Sequence, residues 1–283
     1  MSLLSRLFKK KNQINDKDKP VVKDYGKASC STPVKKNNTA SDKKKDLLND
    51  KENTIGKNSD IAKSSKQDQK KVMASDKENY KIVTIGDQVW MAENLKVTCY
   101  RNGDPMHNAI EDSEWTKLGS DEMKKGAYCV YDNDIENLRI YGYLYNWDAV
   151  NDKRNIAPEG WHVATDEDWK VMEVHLGISQ TEADDIGWRG IDQGGMLKEV
   201  GTMHWNSINS GATNNSGFTA LAGGLRDGSG EFLHLRNSGY FWTATNKDKD
   251  DAWYRQLGSG NPSGIYRHSN FKSIGFSVRC IKD

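Results

Sequence analysis

The residues equipped for chemistry are few and scattered. Four cysteines stand at 30, 99, 129 and 280, with no CxxC pair and no spacing that suits a metal. Cys280 alternates with Val278 and Phe276. That pattern reads as a strand with a core cysteine, not as a thiolate in an open, basic setting. Six histidines, at 107, 162, 175, 204, 234 and 268, fit no HExxH and no His/Cys ligand set. His162, within GWHVAT, reads as satisfied by a backbone or core partner. Asp132, Asp134 and Glu136 begin like a calcium loop, but its sixth position is Asn137 and its twelfth Tyr143, where an EF-hand needs Gly and Glu. Asn246, Asp248, Asp250 and Asp251 leave a lectin-like calcium site open beside the plainer reading of a solvated loop. The run GSGNPSG at 258–264 lacks the spacing and the Lys-Ser/Thr sequel of a phosphate loop and reads as a turn. No GxSxG elbow occurs, and Glu93 and Asp168 are single carboxylates, not an acid–base pair. No catalytic residue, no metal set and no cofactor other than that calcium follow from these residues.

One group points to binding. Between Asn246 and Phe271, the residues Tyr254, Arg255, Tyr266, Arg267, His268, Ser269 and Asn270 combine rigid aromatic area with adaptable polar groups. Such mixtures make good recognition surfaces. With Asn246 they are the candidate ligand-binding residues, expected on loops; the competing reading is polar loops that are merely solvated. Most other large aromatics, among them Trp90, Trp147, Trp161, Trp169 and Trp242, fall inside expected elements and read as core.

The elements that must position this group run as follows. Tyr80–Ile85 and Gln88–Ala92 flank Gly86-Asp87 and predict a hairpin. Residues 101–125, with Pro105 and Trp115, read as a polar loop. Ala127–Tyr131 reads as a strand. Tyr143, Leu144, Trp147 and Val150 are spaced as on a short amphipathic helix. Trp161–Val163 predicts a strand leading into a helix, with Thr165 as N-cap, Asp168 completing a capping box, and Trp169, Met172 and Leu176 on one face up to Gly177. A second short helix is expected over Thr181–Ile186. GGMLKEVGTMHWNS and SGATNNSG read as irregular connections. From Gly217 to Asp283, alternating aromatic and polar residues broken every 8–12 residues by Gly or Asp predict short antiparallel strands. The sum is α+β, short helices beside a twisted antiparallel sheet.

Composition divides the chain. Residues 1–78 hold 20 Lys and Arg against 11 Asp and Glu and no Trp, while the remainder holds 21 against 29 and all nine Trp. The first part cannot bury enough apolar area to offset its ordering entropy, so a disordered basic tail is expected there and one domain over 79–283. The lysines lack interleaved aromatics, which speaks against specific nucleic-acid binding. Leu3, Leu4, Leu7 and Phe8 share one face of a short helix; residues 1–12 read either as a weak membrane-surface or secretion-machinery contact or as a frayed start. With no export signal in MSLLSRLF, the default is a cytoplasm with reduced thiols, the alternative a non-classical export route in which Cys99 and Cys129 could pair.

The blocks WMAENL, GAYCVYDND, YGYLYNWDAV, APEGWHVATDEDW, GGMLKEVGTMHWNS, ATNNSGFTALAGGLRDGSGEF, GYFWTAT and GFSVRC, in this order, resemble the Fibrobacter succinogenes major paralogous domain family over about 82–283. Its members are mostly exported proteins of Bacteroidetes-like bacteria, often lipoproteins. GWHVATDEDW, FWTAT and GFSVRC are also similar, remotely, to the C-type-lectin-like and formylglycine-generating-enzyme scaffold. What the resemblance implies is a lectin-like body whose C-terminal loops bind a glycan or a cell-surface protein. Two alternatives are an enzyme of the formylglycine-generating type with an atypical site, and a structural or cargo protein of a secretion or phage-like particle. The oxidase needs two cysteines just ahead of its GFR strand, and 239–275 contains none. On this scaffold the last strands can also be targets of diversity-generating retroelements, and the composition of Tyr254–Phe271 suits that.

Overall fold

A computed structural model describes residues 80–118, 123–206, 209–258 and 263–283. The expected tail over 1–78 and its start at 1–12 lie outside the described residues.

The chain opens with the expected hairpin, β1 (Ile82–Ile85) and β2 (Gln88–Met91), with Ile85 opposite Gln88. Gly86 takes a φ of 60° between them, the left-handed backbone a two-residue turn demands. Next come β3 (His107–Asn108), α1 (Asp112–Leu118), β4 (Ala127–Cys129), α2 (Ile135–Tyr141), β5 (Leu144–Tyr145) and α3 (Trp147–Val150). Here two expectations need correction. Residues 101–125 are not all loop, because α1 turns Trp115 and Leu118 inward and buries both. The helix expected from Tyr143 starts only at Trp147: Asn146 caps it by accepting from the Ala149 amide, while Leu144 and Tyr145 pair with β4.

The next segment follows its sequence closely. β6 (Trp161–Val163) leads into α4 (Asp166–His175). The Thr165 side chain accepts from the Asp168 amide and Asp168 accepts from the Thr165 amide, a complete capping box. Trp169 and Met172 are buried beneath it. α5 (Gln180–Asp184), β7 (Gly187–Arg189) and α6 (Gln193–Leu197) follow, so the GGML run expected to be irregular is helical.

The last third is strand: β8 (Gly223–Arg226), β9 (Phe232–Leu235), β10 (Ser238–Asn246), β11 (Asp251–Gly258), β12 (Ile265–Phe271), β13 (Ser277–Val278) and β14 (Cys280–Lys282). Seven strands join in the order β7-β12-β11-β10-β8-β9, with β13 parallel to β10. A smaller sheet, β1-β2-β14-β6, returns the C-terminus to the opening hairpin, and β3-β4-β5 form a third. The fold is α+β, with short helices and antiparallel and mixed sheets.

β10 is the spine. Tyr240 and Trp242 enter one apolar cluster, with Tyr145, Trp147 and Phe276, and Phe241 enters another, with Trp90, Trp169 and Phe218. A strand buried on both faces reads as a continuous apolar run, which is what SGYFWTA supplies. Of the expected core tryptophans, Trp90, Trp147, Trp169 and Trp242 are buried and Trp161 is half-buried.

Candidate functional site

The stretch expected to be loop is a hairpin of long strands. β11 and β12 pair antiparallel, Tyr254 opposite His268, Arg255 opposite Arg267 and Gln256 opposite Tyr266. Side chains on a strand alternate between faces, so the candidate residues divide into two sets.

One set is buried. Arg255, Arg267 and Arg189 of β7 converge on two carboxylates from α4, Asp166 and Glu173. Arg255 Nε donates to Glu173 Oε1 at 2.6 Å and its Nη1 to Asp166 Oδ1 at 2.6 Å. Arg267 grips Asp166 through Nε at 2.9 Å and Nη2 at 2.7 Å, and its guanidinium lies 3.9 Å from the Trp253 ring centre. Arg189 holds Glu173 with both Nη groups. Burial works against the charge on Asp166, but the hydrogen bonds and charges of Arg267 and Arg255 outweigh it and hold the carboxyl at about 2. Arg255 is fully buried and Arg267 nearly so. Both were expected on a ligand-facing loop; instead they bind the sheet to α4.

The other set forms an aromatic ladder. Tyr254, 6% exposed, packs on Phe276, with centroids 5.0 Å apart, and on Tyr240 and Trp242 at 6.2 and 6.3 Å. Tyr266 follows at 6.3 Å and is half-buried. Trp188 of β7 stands opposite Tyr266 across the sheet, 5.1 Å between rings, and is 42% exposed. The His268 ring stacks on Tyr266 with 6° between planes. Its Nδ1 donates to the Ser269 carbonyl at 2.8 Å, which leaves Nε2 of a neutral ring as an acceptor. Gln256 lies beside them and donates to Ser238 Oγ at 3.3 Å. Asn246 and Asn270 are both register partners of Ala252, one row further along. Of the expected group, Tyr254, Tyr266 and His268 come together, Asn246 and Asn270 flank them, and Arg255 and Arg267 turn away. Among the described residues of Tyr254–Phe271, Tyr254, Arg255 and Arg267 are buried, while Gln256, Tyr266, His268, Ser269 and Asn270 are half-buried and Phe271 is exposed.

Sequence reasoning missed Trp188. Its three-residue strand, Gly187–Arg189, is too short to carry a period-two signal. It also missed Lys198, which is 1% exposed, with Nζ 3.5 Å from the Gly258 carbonyl and 5.0 Å from the Trp205 ring. Burial lowers that amine to about 8.

The thiols and acidic runs resolve as follows. Cys280 and Cys129 are free and fully buried. Burial raises the Cys280 thiol well above its usual range and brings Cys129 to about 12 against the pull of Arg226. Cys99 is disulfide-bonded. The reduced-thiol expectation therefore fails at Cys99, and so does its pairing with Cys129, which is free. The acidic run at 246–251 closes on itself: Asp248 Oδ1 accepts from the amides of Asp250 and Asp251 at 3.0 and 2.9 Å. The Lys272 ammonium donates to the carbonyls of Asp248 and Lys249 at 2.6 and 2.8 Å, so calcium would have to displace a lysine there. Among the described residues no group of three or more His, Cys, Asp or Glu is placed to hold a metal ion, and no helix is long and apolar enough to cross a membrane. Asp134 caps α2 by accepting from the Glu136 amide. His162 meets not a backbone partner but two carboxylates, Asp168 at 3.2 Å and Asp283 at 2.7 Å.

In comparison with known proteins, a family model described as Fibrobacter succinogenes major domain matches residues 83–282. No curated protein and no solved structure matches the chain.

Proposed function

We propose that this chain, which belongs to the Fibrobacter succinogenes major domain family, is a non-enzymatic recognition module that binds a glycan on the aromatic face of β7, β11 and β12. The carrying observation is the graded ladder: Tyr254 at 6% exposure, Tyr266 half-buried, Trp188 at 42%. A ring locked from below and open above is a rigid platform with a negative π-face, suited to the C–H face of a sugar. The Tyr266 hydroxyl, Gln256, His268 and Asn270 supply adaptable polar groups around it. The segregation of short helices from a sheet whose far end carries this face supports a C-type-lectin-like scaffold, as does the GFSVRC ending.

The burial of Cys280 and Cys129 supports recognition over the formylglycine-generating alternative, since a nucleophilic thiol needs access and a lowered pKa. The Cys99 disulfide supports an oxidising setting at or beyond the cell surface. The particle-cargo alternative turns on residues 1–12, outside the described residues, and no structural observation favours it.

The test is a glycan-array and cell-surface screen of the full chain beside Trp188→Ala and Tyr266→Ala. Binding to a defined glycan class that falls tenfold or more in both variants supports the reading. Wild-type binding that survives both moves the site elsewhere, and binding that survives enzymatic deglycosylation of the cells transfers the partner to a protein.

A further inference from the structure

At the opposite end of the β11–β12 hairpin from Trp188 lies a cavity of about 280 Å³, lined by Lys124, Asp148, Lys249, Asp250, Phe271 and Lys272 among others. None of these belongs to the aromatic ladder. The lining has three ammonium groups against two carboxylates. Phe271, 63% exposed, supplies an apolar wall. Lys272 is pre-positioned: two of its three N–H groups are spent on the carbonyls of Asp248 and Lys249, and its Nζ lies 4.9 Å from the Trp147 ring centre. An ammonium fixed in this way has one further N–H donor. The acidic run that suggested a cation site from sequence is thus folded around a cation already, and what it leaves beside that cation is a cationic hollow.

We propose that this hollow binds a small organic anion, an oxyanion monoester (phosphate or sulfate) carried on a ring. The oxyanion sits among Lys124, Lys249 and Lys272 in charge-assisted hydrogen bonds, and the ring lies against Phe271. Asp148, half-buried at the start of α3, sets a limit: its carboxylate repels a second negative charge deeper in the cavity, so a single oxyanion group is favoured over two. At about 280 Å³ the hollow lies just below the usual range of ligand pockets, which limits its occupant to a single ring with one oxyanion group. This site is independent of the recognition reading and shares no residue with it.

The experiment titrates the full chain with phenyl phosphate, phenyl sulfate, inorganic phosphate and phenol, followed by tryptophan fluorescence and by calorimetry. Saturable binding of at least one phenyl ester, at least fivefold tighter than inorganic phosphate or phenol, is expected. Because Lys272 also holds the 248–250 turn, the variants are the exposed residues Lys124→Gln and Phe271→Ala, each checked for an unchanged thermal midpoint. Lys124→Gln should weaken both esters fivefold or more. Phe271→Ala should bring the ester down to the affinity of inorganic phosphate. The relative affinities of the two esters decide which oxyanion is preferred. No saturation by either ester into the millimolar range overturns the proposal, as does binding unchanged in both variants or inorganic phosphate binding as tightly as the esters.

Discussion

Arg255 and Arg267 face each other on one side of the β11–β12 hairpin, while Tyr254, Tyr266 and His268 occupy the other. The two sides come from the same residues of chain, one position out of phase. By hydropathy the arginines should be outside and the tyrosines inside. The structure buries the arginines at least as completely as the innermost tyrosine and leaves the outer aromatics half in water. What decides is the partner each side meets. α4 brings Asp166 and Glu173 against the arginines, so each buried charge is paired and hydrogen-bonded. Toward β7, exposure on the aromatic side rises from Tyr254 to Trp188 among the described residues. One face is occupied by the protein's own charged groups; the other grades from buried to exposed.

The largest effect should come from breaking the occupied face. Glu173 is fully buried between Arg189 and Arg255. Glu173→Ala takes from Arg189 its only carboxylate partner among the described residues and leaves Arg255 with Asp166 alone, and removing one partner of a buried ion pair costs roughly 3–5 kcal/mol. Urea unfolding of the variant against wild type measures it. A loss below about 1 kcal/mol would mean that water reaches the arginines, and the contrast between the faces would fail.

A smaller effect is expected from acid. Asp166 has its carboxyl held at about 2 in the folded protein, against ~3.9 in an unfolded chain. A depressed carboxyl contributes stability that is whole above the unfolded value and disappears as pH falls through the folded one. The window is therefore about pH 4 to 2, and the contribution roughly 2–3 kcal/mol. Unfolding free energies measured at steps from pH 5 to 2 should fall through that window in wild type. In Asp166→Asn this part of the slope should be missing. An identical slope in both would assign the acid sensitivity to other carboxylates.

The same hairpin shows what a sequence reveals and what it hides. The capping box at Thr165 and Asp168 and the turn at Gly86 are local: their hydrogen bonds join neighbours in sequence, so residue types alone specify them. The family likeness was legible for a similar reason, as eight blocks kept in order. The arginine network was not, because its partners lie 82 to 101 residues from Arg255 and Arg267. With α4 out of view, a Tyr-Arg…Tyr-Arg-His-Ser-Asn stretch has the composition of a polar loop, and the period-two pattern that would have sorted it was there to be read. Trp188 was hidden by length, since a three-residue strand carries no periodicity. Cys99 was ambiguous because a disulfide depends on geometry that spacing does not contain.

The smallest effect belongs to the open face, and its smallness is the point. Trp188 lies on the edge strand β7 with 42% of its surface in water and its ring against Tyr266 and Gly258. Trp188→Ala gives up part of one aromatic contact, worth about 0.5–1.5 kcal/mol, and leaves the Arg189 pairing on the far side of the strand in place. The thermal midpoint should fall by only about 2–4 °C for each kcal/mol lost, far less than in Glu173→Ala. A large ring that matters so slightly to the fold is what the proposed recognition face requires of Trp188. Differential scanning calorimetry of the two variants side by side measures the contrast. If Trp188→Ala destabilises as much as Glu173→Ala, the ladder is part of the core like the arginine network behind it, and the face is closed.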